Sequence, residues 1–165
     1  MEPKRDAYKT VTVTHIFDAS RESVWKMWTD PLLFGLWWGP KNFTAPSVTM
    51  DVSVGGAFLW CMHGRQGPGQ EPKDFWNVGT YQEVVPMDRL AYVCSFSDAA
   101  GNVISPAEYG MPGMAAECRV TVTFADAEGN TKIVLTHEGL PDGALAEACQ
   151  MGWLQSFEKI DALLK

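Results

Sequence analysis

Long apolar runs are missing from this sequence: none approaches the ~18 residues that read as a membrane span. Positive charge is scarce as well, with 13 Lys and Arg against 20 Asp and Glu in 165 residues, a formal charge of −7. Phosphate binding needs clustered cations that release counterions, yet Lys4-Arg5 is the only adjacent basic pair. That balance argues against nucleic acid and against an anionic membrane as partners. The opening MEPKRDAYKT has no apolar core of a secretory signal, so a cytoplasmic location is expected. Cys61, Cys94, Cys118 and Cys149 lie far apart, with no CxxC and no zinc-like Cys/His spacing. They read as buried thiols acting as small hydrophobes. P-loop, GxGxxG and HExxH patterns are all absent, so no nucleotide cofactor and no metal is expected.

What the chain does have is apolar bulk, 46% of residues, with charged residues at 20%, the profile of a globular protein. The length fits a single domain over residues 1–165, with 1–7 as a flexible lead-in. Residues 8–17, YKTVTVTHIF, alternate and place Val11, Val13, His15 and Phe17 on one face of a strand. Ser20 then offers an N-cap to RESVWKMW, and Asp30-Pro31 restarts a second short helix that ends at Gly39-Pro40. From about Ser47 the period falls to two: strands over 47–54, 57–63, 75–85 and around 90–96, and two more through Cys118–Phe124 and Ile133–His137. Gly79, inside one of them, signals a bulge or a close backbone approach. The stretch from Ser97 to Glu117 is too long for a tight hairpin. Pro141-Asp142 is expected to cap a C-terminal amphipathic helix with Leu145, Cys149, Gly152, Trp153, Ser156, Phe157 and Ile160 on one arc.

The order β–α–α–β×6–α predicts an α+β fold. A curved antiparallel sheet of about seven strands wraps the last helix, and the two early helices plug one end.

The segment 32–40, LLFGLWWGP, comes first, followed by Asp51 leading into VSVGGAF. GTYQEVVPMDRL, TKIVLTH and the late helical MGW complete the set. In this order, from about residue 11 to the end, they resemble the activator of heat-shock protein 90 ATPase homologue-like group. That group belongs to the START-like (SRPBCC, helix-grip) superfamily. The resemblance implies a seven-stranded sheet gripping a long C-terminal helix, with a cavity between them. Relatives bind lipids, plant hormones, polyketides and other apolar molecules; some close rings, one type is cleaved while neutralising a reactive natural product, and others activate the chaperone's ATPase. Fold alone does not choose among these.

Three groups of residues bear on that choice. The first is the aromatic store of Trp37, Trp38, Phe58, Trp60, Trp76, Tyr92, Phe96 and Trp153. Any one of these rings is accounted for by core packing. As a set they face Gly152 and Ser156, which put little bulk on the helix arc turned to the sheet, so unfilled space is expected there. With Cys118 on the same inward face, Trp37, Phe58, Trp60, Trp76, Tyr92, Phe96, Gly152, Trp153 and Ser156 are the expected ligand-binding residues.

The second group is acid–base. His137 shares parity with Ile133 and Leu135 and so points inward; His63 and Glu138 lie near strand ends. His137, Tyr92 and Tyr109 are the candidates for proton transfer on a cyclic ketone-type substrate. Catalysis requires at least two titratable groups converging in one pocket. The third group is Asp51, Glu83 and Arg89, read as structural charges around a turn. Gly110-Met111-Pro112-Gly113-Met114 places two adaptable thioethers in the long loop, at the cavity mouth or over the sheet edge.

Three functions follow: a carrier of a hydrophobic small molecule, an enzyme acting in the same cavity, and a co-chaperone that stimulates heat-shock protein 90. The last needs an exposed patch rather than an enclosed cavity, and the activators that give the group its name carry a second domain. The chain is expected to be a monomer or a homodimer.

Overall fold

A computed structural model describes residues 8–165, so the expected flexible lead-in over 1–7 lies outside the described residues. The elements run β1 Lys9–Phe17, α1 Arg21–Thr29, α2 Pro31–Trp37, β2 Thr44–Met50, β3 Ala57–Gly64, β4 Lys73–Val85, β5 Arg89–Ser97, a 3-10 turn Pro106–Tyr109, β6 Cys118–Ala127, β7 Asn130–Leu140 and α3 Ala144–Leu163. The seven strands form one antiparallel sheet in the order β1-β7-β6-β5-β4-β3-β2, with α3 lying across it. No helix among the described residues is long and apolar enough to cross a membrane.

Local chemistry sets the early elements. Ser20 accepts the Ser23 backbone N–H at 3.2 Å and starts α1. Asp30 serves both helices: its backbone N–H closes α1 on the Lys26 carbonyl at 2.9 Å, and its carboxylate takes the Leu32 N–H at 2.9 Å to open α2. Pro31 fits the first turn, where its missing N–H has no helical partner to lose. The pair then buries Trp28, Phe34 and Trp37 almost completely, and Trp37 Nε1 donates to the Met27 carbonyl at 2.7 Å.

Two expectations shift, and the pair of alternatives at Gly79 resolves. The second strand begins at Thr44 and stops at Met50 instead of running to 54. Beyond it Asp51 takes the Ser53 backbone N–H and hydroxyl, each at 2.9 Å, and this local turn outcompetes the ladder. The last helix starts at Ala144, not at Pro141-Asp142. Gly143 holds the N-cap position at φ 98° without a side-chain bond, while the Asp142 carboxylate binds only the adjacent Gly143 N–H. Gly79 marks a close approach, since a Cβ there would overlap the Val93 carbonyl oxygen and the Phe58 ring. The register shift of β4 against β5 falls between Tyr81 and Glu83.

Packing is uneven along α3. Its C-terminal half is seated: Phe157 and Ile160 are fully buried, Phe157 meets Phe17 edge-on at 5.7 Å, and Asp161 accepts from His15 Nε2 at 2.9 Å. Lys159 Nζ donates to the Gly39 and Phe43 carbonyls, both at 2.9 Å, and ties the helix to the α2–β2 connection. The N-terminal half, through Gly152, stands over a gap.

Candidate functional site

The gap is a cavity of about 630 Å³ between the concave face of the sheet and the first half of α3. Its floor is built by strand alternation, which sends every second side chain of β3 to β7 inward. Trp60 and Met62, Phe75 and Asn77, Tyr92, Cys94 and Phe96, Val120, and His137 with Leu140 supply it in chain order. Leu145, Ala148, Cys149, Gly152, Trp153 and Ser156 of α3 form the roof. Gly152 leaves it open, since a Cβ there would meet only Pro40 at 3.7 Å. Trp38, Gly39, Pro40 and Phe43 close one side, and Gln66, Gln70, Gly110, Met111 and Met114 edge the other. None of these lining residues carries a formal charge.

Of the expected ligand-binding residues, the fold brings Trp60, Tyr92, Phe96, Gly152, Trp153 and Ser156 to this cavity. Trp37 lies instead in the plug, 4.6 Å from the Trp28 ring. Phe58 stacks beneath Trp60 at 3.8 Å and is sealed off by it. Trp76 falls outside because Phe75 and Asn77 take the inward positions of β4, and adjacent strand residues face opposite ways. Cys118 borders a separate void of about 50 Å³, which shares Asn77, Cys94, Phe96, Met114 and His137 with the main cavity. Ser156 spends its hydroxyl on the Gly39 carbonyl at 2.8 Å.

The acid–base candidates separate in the same way. His137 and Tyr92 both border the cavity. Tyr109 does not: its hydroxyl donates to the Ser97 carbonyl and accepts the Trp76 N–H at 3.2 Å, clamping the ends of β4 and β5. His63 pairs with Asp74 at 2.7 Å on the exposed outer face, and Glu138, next to His137, points away from the interior. Arg89 and Glu83 form an ion pair at 2.6 Å, and the Arg89 hydrogen bond holds the Glu83 carboxyl below the usual range. Asp51 belongs to its own turn.

Within the cavity, burial governs protonation. Desolvation pushes His137 down to about 4 and so favours its neutral ring. It drives Tyr92 and Cys94 well above their ordinary values and Cys149 to about 12, so all three remain protonated at neutral pH. Outside it, Cys61 and Cys118 are each raised to about 11, again mainly by burial. No group of three or more His, Cys, Asp or Glu among the described residues is placed to hold a metal ion.

Residues 18–165 match the model of the family described as Activator of Hsp90 ATPase homolog 1-like protein. The chain belongs to that family. Among solved structures it is similar to protein CV1439 from Chromobacterium violaceum, 29% identical over 94% of this chain and 96% of that one, with a TM-score of 0.73. The Silicibacter pomeroyi AHSA1 protein, 19% identical over 94% and 97% of the two chains, has the same fold at a TM-score of 0.73. So does a protein from Arthrobacter aurescens, 22% identical over 99% and 89%, at 0.74. No curated protein matches the chain. The family match and these relatives agree with the helix-grip architecture that the order of LLFGLWWGP, VSVGGAF, TKIVLTH and MGW implies.

Several lining residues carried no sequence signal as site members. Phe43 lies in a connection, while Phe75 is masked by its neighbour Trp76. Asn77 is a polar residue in an otherwise apolar pattern, and Cys149, though on the inward arc of α3, reads as a packing thiol. Strand parity alone, counted back from Tyr81 through Gly79, points to Asn77 and Phe75.

Proposed function

We propose that this protein binds an uncharged apolar or aromatic small molecule between the sheet and the first half of α3. The cavity itself carries the proposal. Its volume of about 630 Å³ falls within the roughly 300–1,000 Å³ of small-molecule sites. An ionised guest would be desolvated there without a counter-charge, a costly transfer. Apolar burial supplies most of the affinity. Three of the seven tryptophans, Trp38, Trp60 and Trp153, line the cavity and report on occupancy. Titration with a panel of neutral polycyclic compounds is expected to quench or shift tryptophan emission with a saturable curve. A flat response across the panel removes the proposal. Native mass spectrometry of protein from its own host would name the guest's chemical class.

The convergence of His137 and Tyr92 supports a second reading, an enzyme of the cyclase or hydrolase kind acting on a hydrophobic substrate. Against it, the lining holds no carboxylate among the described residues, and burial makes His137 a weak base and the Tyr92 hydroxyl a weak acid. Turnover of an enolisable cyclic ketone that is lost in Tyr92→Phe would favour it. The co-chaperone reading rests on the family's name, and a stimulated ATPase rate with purified chaperone would be its test.

A further inference from the structure

Four buried side-chain polar atoms have no hydrogen-bond partner among the described residues: Trp28 Nε1, Trp60 Nε1, Tyr81 Oη and His137 Nε2. Two of these residues, Trp60 and His137, border the main cavity. The protonation of His137 follows from its other nitrogen. Trp153 Nε1 lies 3.1 Å from His137 Nδ1, and the Cys149 thiol lies 3.4 Å from the same atom. An indole N–H can only donate, so Nδ1 is the acceptor and bears no proton. A neutral imidazole then carries its hydrogen on Nε2. Burial favours that neutral state. The result is a fixed donor with nothing to receive it, on a ring that borders both the cavity and its small annex.

A buried donor left unpaired is unfavourable. The indole N–H of Trp60, on another lining residue, is likewise a buried donor without a partner among the described residues. The annex, at about 50 Å³, exceeds the ~10–15 Å³ of probe volume that one water-sized group requires. A carbonyl oxygen fits there; a second ring does not.

We infer that the cavity selects a guest carrying a carbonyl-type acceptor oxygen, which takes the Nε2 hydrogen of His137 once the side chains that cover that atom give way beside the cavity and annex. This rests on the cavity being a hydrophobic binding site and adds the polar group that orients the guest within it. Trp153 is then a positioning residue, since its indole N–H fixes which nitrogen of His137 is the donor. Binding strips water from the guest's carbonyl, and the His137 hydrogen replaces that water. Without the donor, a carbonyl becomes a liability in an apolar site.

The test uses fluorene and 9-fluorenone, flat tricycles of nearly equal size that differ by a methylene against a carbonyl. Affinities are measured by tryptophan quenching on the whole protein. Fluorenone is expected to bind about tenfold more tightly, in line with one buried hydrogen bond. In His137→Phe that ratio falls to about one or inverts. The infrared carbonyl stretch of bound fluorenone is expected below its value in hexane, a measurement on the unaltered protein that needs no variant to fold. Equal affinities with an unshifted stretch overturn the inference and leave hydrophobic binding standing. A tenfold preference that survives His137→Phe overturns the assignment to His137. Failure of both compounds to bind removes the binding function, and the inference with it.

Discussion

His137 combines a neutral ring, a committed Nδ1 and an unpartnered Nε2 in the wall of an apolar cavity. Its depressed pKa has a consequence for stability. The unfolded chain protonates near the ordinary histidine value of 6.5, while the folded protein resists until about 4. Between those values the unfolded state binds more protons, so stability rises with pH across the window and is lost as pH falls through it. At ~1.4 kcal/mol per pKa unit, the penalty reaches up to roughly 3 kcal/mol at the acid end. Urea midpoints taken from pH 7 to pH 4 are expected to fall steeply, and His137→Gln should flatten that slope. The thiols behave as buried hydrophobes do. With every cysteine pKa raised, alkylation by iodoacetamide at pH 8 is expected to be slow in the native protein and fast in urea.

At the scale of elements, one carboxylate joins two helices and one glycine keeps a roof thin. Asp30→Ala removes the cap of α2 at its joint with α1, and a loss of about 1 kcal/mol is expected in denaturant titration. Gly152→Ala should act in the opposite direction. A Cβ there meets only Pro40 at ordinary contact distance, and replacing a mid-helix glycine gains roughly 0.5–1 kcal/mol. Gly152→Phe, by contrast, is expected to fill the cavity and abolish probe binding while the fold persists. Much of this architecture was legible. Alternation in Leu90, Tyr92, Cys94 and Phe96 and in Ile133, Leu135 and His137 gives faces, and faces give a floor. Periodicity also found Gly152 and Ser156 on the roof. It failed where two large rings sit side by side, because Phe75 and Trp76 are equal candidates until the strand's parity is known. It failed again at Trp37 and Phe58, whose inward direction is right but whose neighbours bury them beyond reach of a guest. Depth along the helix is a tertiary property that no local pattern encodes.

For the whole molecule, the cavity couples occupancy to stability. A guest that binds only the folded state adds RT ln(1 + [L]/Kd), about 2.7 kcal/mol at a hundredfold excess over Kd. The melting temperature is therefore expected to climb with the concentration of any neutral polycycle that quenches tryptophan, and to stay unchanged for compounds that do not. The uneven seating of α3 has a further consequence. Fixed by Phe157, Ile160 and the Lys159 tether at one end and uncapped at Gly143 on the other, the helix is a cantilever. Bulkier cargo can be met by flexing its free half, with the anchored half undisturbed. Amide exchange should accordingly be graded along a single helix, quick over 144–152 and slow over 153–163, and the fast segment alone should stiffen when cargo is aboard.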